Sequence, residues 1–241
     1  MSYNQPLLKA RSPAALAEEY IVQSIWNNRF PPGSDLPAER ELADKIGVTR
    51  TTLREVLQRL ARDGWLNIQH GKPTKVNDVW QTSGLNILEV LVRLDSATSP
   101  ALIANMLSAR TNIASIYVPK AFKIAGGESQ AIFSSLDTLE DNAQAYTAFD
   151  YHLFHKLAFT SGNPIYGLIL NSLKALYTRV GHFYFSRPQA RALAYKFYSD
   201  LKIMGEHQAV DEIAARIRQY GKESAVIWTE LKDELLDYLI E

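Results

Sequence analysis

"GVTRTTLREVLQRLARDGWLNIQHGKPTKV", residues 47–76, decides how the first third of the chain folds. Within it Leu53, Val56, Leu57 and Leu60 fall at i, i+3, i+4 and i+7, the spacing of one buried helix face. Arg50, Thr51, Arg54, Glu55, Gln58 and Arg62 are left for the opposite face. This helix starts near Thr49 and stops at Gly64. "WLNIQHGKPTKV" then reads as two short strands about a turn at His70-Gly71, where glycine tolerates the positive φ of a tight hairpin. Just upstream, "AERELADKIG" is a shorter helix with Leu42, Ala43 and Ile46 facing inward and Gly47 as its C-cap. Short helix, tight turn, second helix and hairpin together make a winged helix-turn-helix. A further helix precedes it. Ser12 caps that helix, Pro13 takes its first position, and Leu16, Tyr20, Ile21, Ile25 and Trp26 supply its apolar face. "RFPPGSDLP" ends it with three prolines and a glycine.

The rest of the chain is helical in period. Residues 1–77 form the expected DNA-binding domain, 78–88 a linker and 89–241 a regulatory domain. Helices are expected over 87–94, 100–122, 129–146, 148–161, 164–186, 189–205 and from 208 onward. The breaks are "DSATSP", "AGGES", "SGNP", "SRP" and "GEHQ". Strand-like alternation is absent beyond residue 88. The expected fold is mainly α: an N-terminal winged helix-turn-helix and a C-terminal antiparallel bundle of about seven helices.

Composition narrows the chemistry. The 241 residues include no cysteine, which excludes disulfides, thiolate nucleophiles and cysteine-ligated metal. The first twenty residues show no secretory h-region, and no apolar run reaches the length of a membrane span. A cytoplasmic protein with no membrane partner is expected. The formal net charge is zero, but residues 40–75 hold 8 basic side chains against 4 acidic ones. A basic cluster confined to one domain of a neutral chain is the footprint of a nucleic-acid surface. Arg50 and Arg54 sit one turn apart near the positive end of their helix, where arginine can donate two bonds to guanine. Thr49, Thr51 and Thr52 can reach phosphates or thymine methyls. The hairpin tip carries donors on little bulk. The competing reading of that helix is an ordinary solvated charged face; the hairpin and the preceding helix weigh against it. A hydrolytic role for His152, His155 or His182 finds no Ser-His-Asp spacing, phosphate loop or paired carboxylate, so no catalytic residue is assigned.

"LPAERELADKIGVTRTTLREVLQRLARDGWL" resembles the signature of the GntR family of bacterial transcription regulators, densely over about forty residues. "SGLNILEVLVRLD", "FDYHLFHKLAFTSGNPIYGLILNSLKALYTR" and "RQYGKESAVIW" resemble the family's fatty-acid-responsive branch. The resemblance implies a homodimer on palindromic double-stranded operator DNA. It places the operator contacts at Arg40, Arg50, Thr51, Thr52, Arg54, His70, Gly71 and Lys72, to which the reading of the helix start adds Thr49. It implies no cofactor, but an effector, long-chain fatty acyl-CoA, bound in the bundle and releasing the DNA. It also implies repression of fatty-acid degradation genes and activation of unsaturated fatty-acid synthesis genes. Met106, Arg110, Phe154, Tyr177 and Tyr184 match branch positions for the acyl chain and head group, as do Tyr220, Gly221, Ser224 and Trp228 on the last long helix. For Gly221 the ligand's pantetheine arm or close helix packing would each explain the missing side chain.

A second reading within the family is a regulator answering to a different small organic acid held by a metal on one Asp and three His. That pattern needs an Asp four residues before a His that follows Phe. In "DYHLFH" Tyr151 stands there, and Asp150 is one place off. No metal ligand is assigned.

Overall fold

A computed structural model describes residues 12–94, 98–232, 234 and 238. The expectations for the N-terminal segment 1–11, for part of the 95–100 break and for most of the chain after 232 lie outside the described residues. Two units emerge, residues 1–87 and 88–241.

In the first unit the apolar stripe behaves as its spacing requires. Helix α3 (Arg50–Arg62) buries Leu53, Val56, Leu57 and Leu60, each no more than 2% exposed. At roughly 1.5–3 kcal/mol per fully buried aliphatic side chain, this stripe attaches the helix to the domain. It packs against α1 (Pro13–Trp26) and α2 (Glu39–Ile46). Ser12 caps α1 by accepting from the Ala15 amide at 3.2 Å. The inward face of α1 differs from expectation. Ala17, Ile21, Val22, Ser24 and Ile25 are buried, whereas Leu16 is exposed. Leu16 lies about 100° round the helix from Ala17, and the small Ala17 lets the neighbouring helix approach on its own side.

Strands β1 (Leu66–Asn67) and β2 (Lys75–Val76) pair antiparallel, Leu66 opposite Val76. Residues 33–36 extend this wing: the Val76 amide donates to the Ser34 carbonyl at 2.9 Å and the Leu36 amide to the Thr74 carbonyl at 2.8 Å. Residues 78–87, expected as linker, contain α4 (Val79–Thr82) and a 3-10 turn (Leu85–Ile87). They are fastened to the end of α3. The Thr82 hydroxyl donates to the Gly64 carbonyl at 2.7 Å and the Ser83 hydroxyl to the Asp63 carbonyl at 2.8 Å.

Gly64 is the point where these parts meet. Its φ is +91°, and an added Cβ would stand 2.6 Å from the Thr82 carbonyl oxygen and 2.9 Å from the Ser83 Cα. Backbone strain and collision with backbone atoms add, so Gly64→Ala should destabilise this unit by about 2–4 kcal/mol. Thermal unfolding followed by circular dichroism should show its transition at least ~10 °C lower. An unchanged transition would mean that the segment after residue 78 does not hold α3 in place.

The second unit has seven helices among the described residues: α5 (Leu88–Leu94), α6 (Ser99–Ile124), α7 (Gly126–Ala131), α8 (Ala143–Thr160), α9 (Ile165–Phe185), α10 (Pro188–Glu206) and α11 (Val210–Leu231). Helices α6 and α11 run antiparallel, as do α8 and α9. The Lys123–Asp211 ion pair at 2.8 Å and the approach of Gly221 to Thr111 set the first pairing. The expected continuous helix over 129–146 is not formed. Residues 132–138 tighten into a 3-10 helix, and the chain breaks before α8. Asn142 explains the restart: in extended backbone, its side-chain oxygen accepts from the Ala145 amide at 2.8 Å. Helix α8 therefore begins five residues before the expected position 148.

Candidate functional site

The recognition face is assembled by the caps and turns of the first unit. Thr49 stands in extended backbone and its Oγ1 accepts from the Thr52 amide at 3.1 Å, so it fixes where α3 begins. Its hydroxyl is also 2.9 Å from that of Thr52. Arg50 follows as the first helical residue, exposed and without an ion pair among the described residues. Arg54, one turn on, is paired with Glu39 of α2 at 3.1 Å but remains 67% exposed. Such a pair is worth well under ~1 kcal/mol, so Arg54 can leave it for another anion. Arg40 and Thr51 are exposed on the first turns of α2 and α3. At the wing tip the Lys72 amide closes on the Gln69 carbonyl at 3.2 Å, and Gly71 takes φ +74°. A positive φ at the third position is what a type II turn demands. His70, Gly71 and Lys72 are thereby held exposed.

The second unit contains a cavity of about 350 Å³ between α6, α8, α9 and α11. That lies within the usual range for small-molecule sites, about 300–1,000 Å³. Leu107, Val180, Phe185 and Trp228 give it apolar walls. Its inner end is a buried polar cluster. Asp150, 1% exposed, accepts from Arg110 Nη1 at 2.9 Å on Oδ2 and from the Tyr198 hydroxyl at 2.7 Å on Oδ1. The Tyr177 hydroxyl donates to the same Oδ2 and accepts from Arg110. The guanidinium lies 4.5 Å over the Phe154 ring. Burial pushes the Tyr177 and Tyr198 hydroxyls well above the usual phenol range and Tyr184 up to about 12, so all three are neutral donors at neutral pH.

Around this cavity the buried donors Arg110 Nε and Trp228 Nε1 have no hydrogen-bond partner among the described residues, and the buried Tyr184 and Ser224 hydroxyls, which lie near each other, make no hydrogen bond of good geometry. Buried polar groups are almost always satisfied, and each orphan costs on the order of 1–3 kcal/mol. Their convergence on one apolar space suits a ligand that supplies polar atoms at set points.

Of the expected ligand residues, Arg110, Tyr177, Tyr184, Tyr220, Gly221, Ser224 and Trp228 line the cavity. Met106 and Phe154 do not; both are buried in the core, Phe154 beneath the Arg110 guanidinium. Gly221 has a packing reason: a Cβ there would stand 2.5 Å from Thr111 Cγ2. Gly181 has the same relation to Thr147, at 2.7 Å. Sequence reasoning passed over Asp150 as a ligand-site residue, and also Ser108, Asn112, Arg218 and Lys222 at the cavity wall. Asp150 left a signal: an acid in the middle of the apolar stripe Tyr146, Leu153, Phe154 and Leu157.

Asp150 is not off the inward face of α8, as counting back from His155 suggested. It is the inward residue, and its partner is the Arg110 cation. His155 lies on a more exposed side, its Nε2 2.8 Å from the Asn171 side-chain oxygen. The side chain that a metal would need is already committed to arginine and two tyrosines. Among the described residues no three His, Cys, Asp or Glu side chains converge, and no helix is long and apolar enough to cross a membrane.

Comparison with known proteins agrees with both units. Residues 13–76 match the model of bacterial regulatory proteins of the gntR family. Residues 77–240 match the FadR C-terminal domain. The fatty acid metabolism regulator protein of Pasteurella multocida (strain Pm70) is 70% identical over 96% of this chain and 96% of its own. That of Yersinia enterocolitica is 60% identical over 98% of each. A solved structure of Lar, described as controlling expression of the Listeria monocytogenes agr system, shares the fold. It has a TM-score of 0.59 and 14% identity, covering 92% of this chain and 99% of that one. With both units matched end to end and relatives this similar, the chain belongs to the GntR family of bacterial regulatory proteins, in the branch that carries a FadR C-terminal domain.

Proposed function

We propose that this chain is a cytoplasmic, non-enzymatic transcription regulator of fatty-acid metabolism. In this reading it binds a palindromic operator as a homodimer and is released by long-chain fatty acyl-CoA. The observation that carries the effector is the cavity: apolar walls, a charged inner end and buried donors without good partners in one space. The recognition face supports the DNA half. Arg50, Arg54 and the threonines occupy the first turn of α3, the part of a recognition helix that meets base edges. Arg40 and the wing tip, His70 to Lys72, reach the flanking backbone or groove. Repression of degradation genes and activation of unsaturated fatty-acid synthesis genes complete the proposal; the names of the relatives favour a regulator of fatty-acid metabolism.

Effector and operator are coupled through the bundle. A ligand that engages Arg110 acts on the whole cluster around Asp150, because Arg110, Tyr177 and Asp150 share their hydrogen bonds. Whatever factor acyl-CoA takes from operator affinity, the operator takes from acyl-CoA affinity. Titrating long-chain acyl-CoA into the protein bound to a fluorescent palindromic operator should lower anisotropy to that of free DNA. Free fatty acid and a short-chain acyl-CoA should leave it bound. DNA that stays bound under every acyl-CoA would remove the effector half of the proposal and favour a regulator of another organic acid.

A further inference from the structure

A carboxylate stands on the face that meets DNA, and it holds one of the recognition arginines. Glu39 is the first residue of α2, and its Oε2 accepts from Arg54 Nη2 at 3.1 Å. The first turn of a helix favours an acid, so Glu39 is kept ionised where it stands. The fold does not depend on this pair. Helix α3 is attached by its own buried stripe, α2 by Leu42 and Ala43, and the two charged side chains are 67% and 34% exposed. Arg40 and Arg50, the other recognition arginines, form no ion pair among the described residues and are fully open to a phosphate. Only Arg54 has its charge matched beforehand. Glu41, Asp44 and Glu55 are also exposed nearby, but none of them holds a recognition side chain among the described residues. An acid facing a polyanion weakens attraction to every duplex alike. Tied to one arginine, it does something more selective.

We infer that Glu39 is a specificity-determining positioning residue that directs Arg54 to a base edge and away from phosphates. The inference rests on the reading that Arg54 enters the groove. A guanidinium has five N–H donors, and the pair with Glu39 uses one of them. Four remain, enough for a bidentate contact to a guanine edge with Glu39 still attached. A phosphate is different, because it competes with Glu39 for the same charge. Arg54 therefore gains little by gripping the backbone of an unrelated sequence. At the right base it arrives already oriented, with less side-chain freedom left to lose. The acid thus acts against the wrong partner more than it acts against the right one.

The test is fluorescence anisotropy of the full chain on operator and scrambled duplexes across a range of salt. Removing a carboxylate strengthens attraction to any DNA, so the readout is the ratio of operator affinity to scrambled affinity. Glu39→Gln should lower that ratio about tenfold, the worth of one exposed ion pair counted once in each half-site. On scrambled DNA its slope of log affinity against log salt should steepen by roughly one per subunit, as Arg54 now neutralises a phosphate. Glu39→Asp, with the charge kept at shorter reach, should recover part of the ratio. In an Arg54→Ala background, Glu39→Gln should shift both affinities together and leave the ratio unmoved. A Glu39→Gln ratio equal to wild type, where Arg54→Ala lowers it, overturns the positioning role. A ratio that falls as far in the Arg54→Ala background also overturns it, since Glu39 would then act on DNA directly. Wild-type operator affinity in Arg54→Ala overturns the groove reading beneath it.

Discussion

Arg50→Ala should weaken operator binding by about 1–3 kcal/mol per half-site, the worth of one bidentate base contact. In a dimer on a palindrome the loss counts twice, so affinity should fall from about thirtyfold to more than a thousandfold. Arg54→Ala should act similarly, tempered by the Glu39 pair that it also removes. Binding to unrelated DNA should change much less in both variants. The slope of log affinity against log salt should shift by roughly one for each phosphate no longer neutralised. Neither side chain is buried, so neither substitution should disturb the fold. Thr49→Ala makes a useful contrast. It removes the cap of α3, costs about 1 kcal/mol of stability, and takes away a hydroxyl that can reach a phosphate but no bidentate base contact, so its effect on operator affinity should be smaller. Fluorescence anisotropy on operator and scrambled duplexes reads all three. If Arg50→Ala and Arg54→Ala both held the operator at wild-type affinity and salt slope, the helix would not enter the groove.

Asp150→Asn should produce the largest stability loss in the bundle. The side chain is fully enclosed, and its charge balances the Arg110 guanidinium 2.9 Å away. Breaking a buried pair by neutralising one member leaves the other uncompensated, at about 3–5 kcal/mol. For a unit of this size the melting transition should drop by roughly 10 °C or more. Removing both charges is a different experiment. Arg110→Met with Asp150→Leu replaces the pair by apolar groups of similar bulk, and much of the single-site loss should be recovered. The double variant should nonetheless lose the proposed acyl-CoA response, because Arg110 and Asp150 both line the cavity. Recovered stability with a lost ligand response is the expected pair of results. Losses that simply add would show that the two side chains do not interact as the structure has them.

Near-neighbour chemistry made part of this molecule legible in advance. The α3 stripe, the Ser12 cap, the Gly47 and Gly64 stops and the Gly71 turn are each decided within a few residues of chain. The expected recognition residues all lie in such segments, so their placement followed from local periodicity and the family resemblance. Where local signals conflicted, the reading slipped. Residues 129–146 carry enough apolar positions for one helix, but Asn142 caps a new one and residues 132–138 wind more tightly.

The cavity belongs to a different class of fact. Its walls come from α6, α8, α9 and α11, spread over more than a hundred residues of sequence. Whether Asp150 faces a metal, solvent or Arg110 depends on which helix lies opposite, and no spacing within α8 states that. For the same reason Met106 and Phe154, matched by resemblance, stand behind the wall, whereas Arg218 and Lys222 stand on it. The sequence by itself determined the helices, their caps, the wing and the charges available. Only the tertiary structure decided which side chains share one cavity, because burial and pairing are set by elements that meet across the fold and not along the chain.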